Sequence, residues 1–571
     1  MYRDLRPIAA GMVIGVAALM AAGMAAGRLA AQTQPPPTLP PTAEPTPRRD
    51  ELEAPEERRE APELELERRP DRPDAPVDAG PSFELVDLVL VGNTVFETAE
   101  LRPLFADEIG RTVTLAALYD IAGRIEAYHR DAGYILTRVI VPAQSVADGR
   151  FRVQVIEGFV SEVEVQGRPR RAERLIRTYL NRLVDIRPIN ARDIERALLL
   201  INDIPGVAAR GFLRPAGAQV GSAQLVVDVT SSRFDGFGLV DNYGSRFSGP
   251  FGAAVGAQIN GLTPFGDQTE VIFFSTVDAQ EQRTAQVTYQ QQVWRDLTGF
   301  VRATYSDAQP QFTLADLDVE TRSIVVRAGL RYPVVRSRRT DLFVEGGIEI
   351  TEAESDVLGA TFTDDSLRVI YAAADAGYDD GLGGANAARL EVRRGLDLFG
   401  ATDADSLLVS RIGASGAFTS VSGEVSRAQS LPAGFSLFAV VGGQYAADPV
   451  LANEEFALGS ASFGRGYDPS EITGRHGVGG AVELRYAGQT PWRWFERYEL
   501  FGFVDYGAVW IDDGGDLVSQ DLASVGGGVR LTPVSRLAVD VSVAHRLIQD
   551  LPTREDEGDA LRVYFRVIGR F

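Results

Sequence analysis

The chain closes with Leu561-Arg-Val-Tyr-Phe-Arg-Val-Ile-Gly-Arg-Phe571. Successive side chains of a β-strand point to opposite faces. Leu561, Val563, Phe565, Val567 and Phe571 therefore share one face, and Arg562, Arg566 and Arg570 share the other. A strand that is apolar on one side and guanidinium-bearing on the other suits a wall with lipid outside and water inside, which is the condition of a transmembrane β-barrel.

Working outward, sixteen segments between Phe234 and Phe571 have the composition of strands. They begin near Phe234, Phe251, Thr269, Arg283, Gly299, Thr321, Thr340, Ser366, Asn386, Arg411, Phe435, Gly477, Glu496, Asp521, Ser535 and Leu561. The number is even, as single-chain bacterial barrels require. Connections after even-numbered segments are short (Arg295 to Thr298, Pro333 to Arg339, Gln429 to Gly434, Thr532 to Val534). Those after odd-numbered ones are longer (Asp307 to Glu320, Glu352 to Asp365, Phe399 to Ser410, Asp448 to His476). The sixth segment alternates cleanly, with Ile324, Val326, Ala328, Leu330 and Tyr332 opposing Ser323, Arg327, Gly329 and Arg331. A large soluble β-sandwich or propeller also alternates, but it explains neither the terminal strand nor the leader described next.

At 571 residues the chain exceeds one ordinary domain. Residues 1–31 carry Arg3 and Arg6, then a weakly hydrophobic Ala/Gly/Val stretch and Leu-Ala-Ala31, the pattern of a signal peptide, with an uncleaved anchor as the rival reading. Residues 32–82 are Pro-rich and then charged, as expected of a periplasmic tether, with a short helix conceivable only around Leu64 and Leu66. There is no Cys, and all 57 basic residues are Arg. Disulfides, thiolate metal sites, Walker-type nucleotide binding and Schiff-base chemistry are thereby excluded. A net charge of −22 argues against nucleic acid as a partner. No cofactor is expected. The three His, at 129, 476 and 545, are too dispersed for a metal site.

Between the tether and the barrel the pattern turns to mixed α/β. Residues 83–158 read as strand Phe83 to Val91, a helix capped by Thr98, and a second capped by Thr114 with Leu118, Ile121, Ile125 and Tyr128 at helical spacing. Gly133 stops it, and strands Ile135 to Val141 and Phe151 to Glu157 follow. Residues 159–232 repeat the order, with helices Ala172 to Leu183 and Ala191 to Ile201. His129-Arg-Asp131, a kinase-like tripeptide without a Gly-rich loop, reads as a cationic helix C-terminus.

Such a repeat ahead of a barrel resembles polypeptide-transport-associated (POTRA) domains, and a C-terminal Phe strand resembles the terminal signature of bacterial outer-membrane barrels. The wording Gly133-Tyr134 through Pro142-x-Gln144, followed by Glu157-Gly158, is similar to the first such domain of two-partner secretion translocators of the haemolysin and filamentous-haemagglutinin export type. The longest loop contains Phe463-Gly-Arg-Gly-Tyr467, and the thirteenth segment contains Phe503-Val-Asp-Tyr-Gly507. These resemble the Val/Ile-Arg-Gly-Tyr/Phe and Phe-x-Asp-x-Gly motifs of the POTRA-barrel superfamily, with Gly464 in place of the usual aliphatic residue. The resemblance implies that the loop folds into the lumen and that Arg465, with Gly466 and Tyr467 beside it, meets the Asp of the wall motif. Periodicity supports this independently. Tyr498, Leu500, Val504, Tyr506, Ala508 and Trp510 form one apolar face, which turns Phe503, Asp505 and Gly507 inward. A bidentate Arg–carboxylate pair is then expected.

The expected architecture is a 16-stranded transmembrane barrel (residues 233–571) preceded by two POTRA domains (83–158 and 159–232). The expected function, implied by the resemblance, is export of a large partner exoprotein, adhesin or haemolysin-like, across the outer membrane of a Gram-negative bacterium without nucleotide hydrolysis. The expected partners are that exoprotein and outer-membrane lipid. The alternatives are a barrel-insertion factor of the same superfamily, a diffusion porin, and an outer-membrane hydrolase, for which no nucleophile and base are suggested.

Overall fold

The computed structural model describes residues 64–66, 82–144, 148–184, 186–216, 219–459, 461–490, 495–513, 516–533, 536–549, 551 and 560–571. The expected signal peptide and most of the expected tether lie outside them.

Sixteen strands close into a barrel in which each pairs antiparallel with the next and the last returns to the first. In chain order they are Phe234–Asp241, Gly252–Asn260, Gln268–Thr276, Gln282–Trp294, Leu297–Ala308, Glu320–Arg336, Thr340–Val357, Ala360–Asp379, Gly384–Gly395, Thr419–Ser430, Phe435–Ala446, His476–Gln489, Phe495–Asp513, Asp516–Pro533, Leu537–Arg546 and Leu561–Arg570. They are barrel strands 1 to 16 below. Alternation places the apolar sets outward: in strand 6 Ile324 and Leu330 are about half exposed, whereas Ser323 is buried. No helix among the described residues is long and apolar enough to cross a membrane, so the strands are the only described elements that can.

Two strand expectations need correction. Residues 352–365 are not a long loop: strands 7 and 8 continue through them to a two-residue turn at Leu358 and Gly359, both left-handed (φ 52° and 74°) as such hairpins require. Strand 10 begins at Thr419 rather than near Arg411, because Arg411 leaves the wall to bind Glu455 and Gly413 turns the chain (φ 78°).

In the first α/β unit the helix Leu115–Asp131 is capped by Thr114, whose hydroxyl accepts from the Ala117 amide at 3.3 Å. Leu118, Ile121 and Ile125 fill its core against Leu88, Phe151 and Val153. The preceding short helix is Thr98–Leu101, capped by Glu97 rather than Thr98 through a reciprocal box with Glu100. His129, in the last turn of this helix with Arg130, is fully buried whereas Tyr128 is exposed; its Nδ1 lies 2.8 Å from the Ile125 carbonyl and its Nε2 3.8 Å from Glu157 Oε1.

The second unit packs helices Glu173–Val184 and Ala191–Asn202 on the strands Phe159–Gly167, Ser222–Ser231 and Val207–Pro215. A further strand completes this sheet. Leu64–Leu66, from the expected tether, pairs in parallel with Gly211 to Leu213 on its open edge. The helix conceivable there is not formed; an unpaired sheet edge offers the backbone partners that three residues of helix could not.

The second unit is bolted to the barrel's short turns. Arg336 bonds Asp203 through two nitrogens at 2.8 and 2.7 Å, Arg338 meets Glu195 at 2.5 Å, and Arg182 meets Asp296 at 2.8 Å. The Tyr179 hydroxyl receives the Gln292 amide, and burial pushes its pKa up to about 12.

Candidate functional site

Residues 447–475, joining strands 11 and 12, fold into the barrel as a hairpin, Phe456–Leu458 against Ile472–Gly474. Its apolar side chains Leu458, Phe463, Tyr467 and Ile472 are buried with Val509 and Leu522 of the wall. At the tip Gly464 is left-handed (φ 84°), and a Cβ there would lie 2.6 Å from Leu522 Cδ1. An aliphatic residue of the usual motif does not fit this backbone. Gly464→Val is expected to destabilise the docked loop by on the order of 2 kcal/mol, from the left-handed penalty and the overlap together. Trypsin cleavage at Arg465 in the folded barrel should speed up accordingly; unchanged cleavage would show that the tip tolerates a side chain.

Arg465 reaches two walls. Its Nε lies 3.1 Å from Asp505 Oδ2 on strand 13, and its Nη1 lies 2.7 Å from Glu483 Oε2 on strand 12. The expected bidentate pair is therefore divided between two carboxylates. The guanidinium also covers the Phe503 ring, 3.5 Å from its centroid, a cation–π placement. Asp505 is fully buried; its other oxygen takes the Ser524 hydroxyl, and Ser524 in turn accepts the Gly466 amide at 3.2 Å. The Tyr467 hydroxyl lies 2.7 Å from the Ile548 carbonyl and accepts the Ala523 amide at 3.3 Å. Gly507 faces the loop, and a Cβ there would strike Leu458 at 2.6 Å. The structure thus brings all six motif residues of loop and wall into one cluster.

Sequence reasoning missed most of what surrounds it. Glu483 also bonds Arg485 at 2.6 Å and Arg530 at 2.7 Å. Arg246, from the connection between strands 1 and 2, grips Asp468 at 2.7 Å and Glu471 at 3.2 Å, and Arg562 on strand 16 meets Asp468 at 2.5 Å. The descending limb has its own pair of fastenings. Glu454 is bidentate with Arg393 of strand 9 (2.7 and 2.9 Å), and Glu455 is bidentate with Arg411 (2.7 and 2.9 Å). Long-range charge pairs have no spacing signature, so only the inward face of Arg393 on its strand was available as a clue.

The six residues of the POTRA wording lie elsewhere, in the first α/β unit and where it meets the second. The Glu157 carboxylate accepts the Thr94 and Val95 amides at 2.7 and 2.9 Å. The Gln144 side chain donates to the Arg152 carbonyl and accepts its amide, both at 2.8 Å, standing in for a strand neighbour. Pro142, which has no amide to donate, follows strand Arg138–Ile140. Tyr134 packs edge-on to Phe96, with ring centroids 6.1 Å apart. The Gly133 carbonyl accepts the Ala191 amide at 2.8 Å, and the Gly158 carbonyl accepts that of Ile189 at 3.1 Å. A Cβ on Gly158 would fall 2.5 Å from Leu136 Cβ. Gly133 and Gly158 thus join the units, and no residue of this group approaches the loop cluster.

The family model described as haemolysin secretion/activation protein ShlB/FhaC/HecB matches residues 221–531, and that of the ShlB-type POTRA domain matches residues 83–158. Among characterised relatives, the heme/hemopexin transporter protein HuxB of Haemophilus influenzae is 24% identical over 483 residues, covering 82% of this chain and 84% of its own. The outer membrane transporter CdiB-2 of Burkholderia pseudomallei is 24% identical over 426 residues, covering 71% of this chain and 69% of its own. The solved structure of CdiB from Escherichia coli superposes with a TM-score of 0.69 at 18% identity, covering 88% of this chain and 93% of that one, which shows the shared fold.

Proposed function

This chain belongs to the haemolysin secretion/activation (ShlB/FhaC/HecB) transporters, and from that premise we propose that it exports a large partner exoprotein, in extended form, through its barrel across the outer membrane. The periplasmic α/β units capture the partner, and the loop of residues 447–475 closes the pore until it arrives. No step calls for a nucleotide. The observation that carries the reading is the loop itself: a 16-stranded wall leaves a channel, and here that channel holds a lid seated on an apolar cluster and fastened around it by ion pairs. Arg465, Gly466 and Tyr467 form the lid's tip, and Phe503, Asp505 and Gly507 form its seat.

Capture has a physical basis in strand addition, where backbone bonds give affinity to any extended chain. The edge strand Val207–Pro215 already accepts Leu64–Leu66 in this way. A partner segment taking that edge must first displace the tether. Because the chain lacks Cys, Glu65→Cys with Phe212→Cys, register partners in this pairing, makes a unique lock. Oxidation of that variant should cut export of an exoprotein co-expressed from the neighbouring reading frame about tenfold, and reductant should restore it. Full export while oxidised would remove this edge from the pathway. The reading as a whole is tested by that same co-expression: the exoprotein should reach the medium only when this chain is present.

A further inference from the structure

In a chain of net charge −22, five arginines crowd into ten residues of the second α/β unit: Arg168, Arg170, Arg171, Arg174 and Arg177. All five are exposed, and only Arg177 is neutralised, by Glu173 at 2.9 Å. Arg168, Arg170 and Arg174 have no carboxylate partner among the described residues. Arg170, Arg171, Arg174 and Arg177, with Glu173, Thr178 and Asn181, line a shallow cleft of about 590 Å³, in which four guanidinium groups outnumber one carboxylate.

The position of this cleft is fixed by what the helix Glu173–Val184 touches. The Arg171 guanidinium donates to the Leu262 carbonyl in the turn between strands 2 and 3. Leu175 lies under the same turn, so close that a Cβ on Gly266 would sit 2.9 Å from it. Further along, Tyr179 and Arg182 meet the turn between strands 4 and 5, at the Arg295 carbonyl and at Asp296. The helix therefore runs along the barrel rim. At 100° per residue, the face carrying Arg174, Arg177 and Asn181 is turned about a third of a revolution from the rim-facing side, away from the buried Ile176 and Leu180, and Arg170 and Arg171 stand in the short turn that leads into the helix. The rim at these turns exposes Leu262, Phe265 and Trp294, which is 63% exposed. Aromatic side chains at strand ends mark the membrane–water boundary of such barrels.

We propose that this arginine face binds the phosphates of anionic phospholipids in the inner leaflet of the membrane that the barrel spans, holding the second α/β unit at a fixed height against the bilayer. Clustered guanidinium groups beside an anionic leaflet gain from each phosphate they meet, and guanidinium suits bidentate phosphate contacts. A capture unit fixed in this way presents its strand Val207–Pro215 at a constant place relative to the pore. The inference concerns lipid and stands on the barrel's position in a membrane, whichever cargo crosses it.

The test uses the complete chain in detergent micelles doped equally with phosphatidylglycerol and phosphatidylcholine, with retained lipid counted by native mass spectrometry. The wild type should retain phosphatidylglycerol over phosphatidylcholine about tenfold. Arg170→Glu with Arg174→Glu should bring the two to parity, and the milder Arg174→Gln should fall between. Heat-modifiable gel mobility verifies that each barrel is folded. High salt should lower the preference, since exposed charges are screened. Millimolar inorganic phosphate should not abolish it; if it does, the cleft is a site for the free ion and not for the leaflet. Equal retention of both lipids by the wild type, or undiminished preference in the charge-reversed variant, would overturn the proposal. So would a reversed variant that keeps its lipid but loses the exoprotein.

Discussion

Deleting residues 456–475 is expected to turn a quiet barrel into an open one. In planar bilayers the intact chain should conduct poorly and flicker, and the deletion should raise its conductance several-fold. The reason is geometric. Sixteen strands enclose more space than their own side chains fill, and the inward arginines Arg327, Arg331, Arg562, Arg566 and Arg570 surround water or counter-charges, not a hydrophobic core. What occupies the centre is the loop, whose tip and descending limb reach strands 9, 12, 13, 14 and 16. The deleted segment carries Arg465 and Arg475 against Asp468 and Glu471, so its loss uncovers Asp505 together with Arg246 and Arg562 and adds no net charge to the lumen. Export should be lost at the same time, because an open hole lacks the gate that couples capture to passage. An unchanged conductance in a correctly folded deletion would place the loop outside the conducting path.

The second large effect is expected from Arg465→Ala. Glu483 keeps Arg485 and Arg530, but Asp505 is left buried with Ser524 as its only side-chain partner. Breaking a buried pair on one side costs on the order of 3–5 kcal/mol, enough to lower the docked population by about a hundredfold or more. Export should fall at least tenfold while the heat-modifiable barrel remains. Arg465→Lys should not rescue it, since one ammonium can neither bridge two carboxylates nor cover the Phe503 ring. Asp505→Asn should be milder than Arg465→Ala, because it leaves no uncompensated charge behind. Equal export by Arg465→Ala and the wild type, at equal protein level, would remove the pair from the mechanism.

The barrel was legible because lipid and water impose opposite demands on alternate residues, and the strand 6 and strand 16 sequences satisfy both. Legibility ended where that contrast ends. Strands 7 and 8 rise beyond it through Glu352, Glu354, Asp356, Thr361 and Thr363, where both faces are polar, and the alternation that marks a strand fades into what reads as a loop. The wall motif was legible because Asp505 stands on the polar face of an otherwise apolar strand. Its second partner was not: Glu483 is one inward acid among several, and nothing in its spacing selects Arg465. The fastenings Glu454 to Arg393 and Glu455 to Arg411 tie residues more than forty positions apart, and the strand Leu64–Leu66 owes its shape to an edge far along the chain. Such features belong to the assembled fold and leave no local period.

Passage of the partner through the lumen is tested most directly by photo-crosslinking from neighbouring positions on strand 5. Arg302 points inward beside Thr288, and Val301, the next residue, is 48% exposed on the opposite face. A photoreactive amino acid is placed at one or the other, with an exoprotein stalled during export. Adducts with the exoprotein from position 302 and none from 301 are the predicted result; export that proceeds with no adduct from 302, or with equal adducts from both, would contradict a path through the barrel.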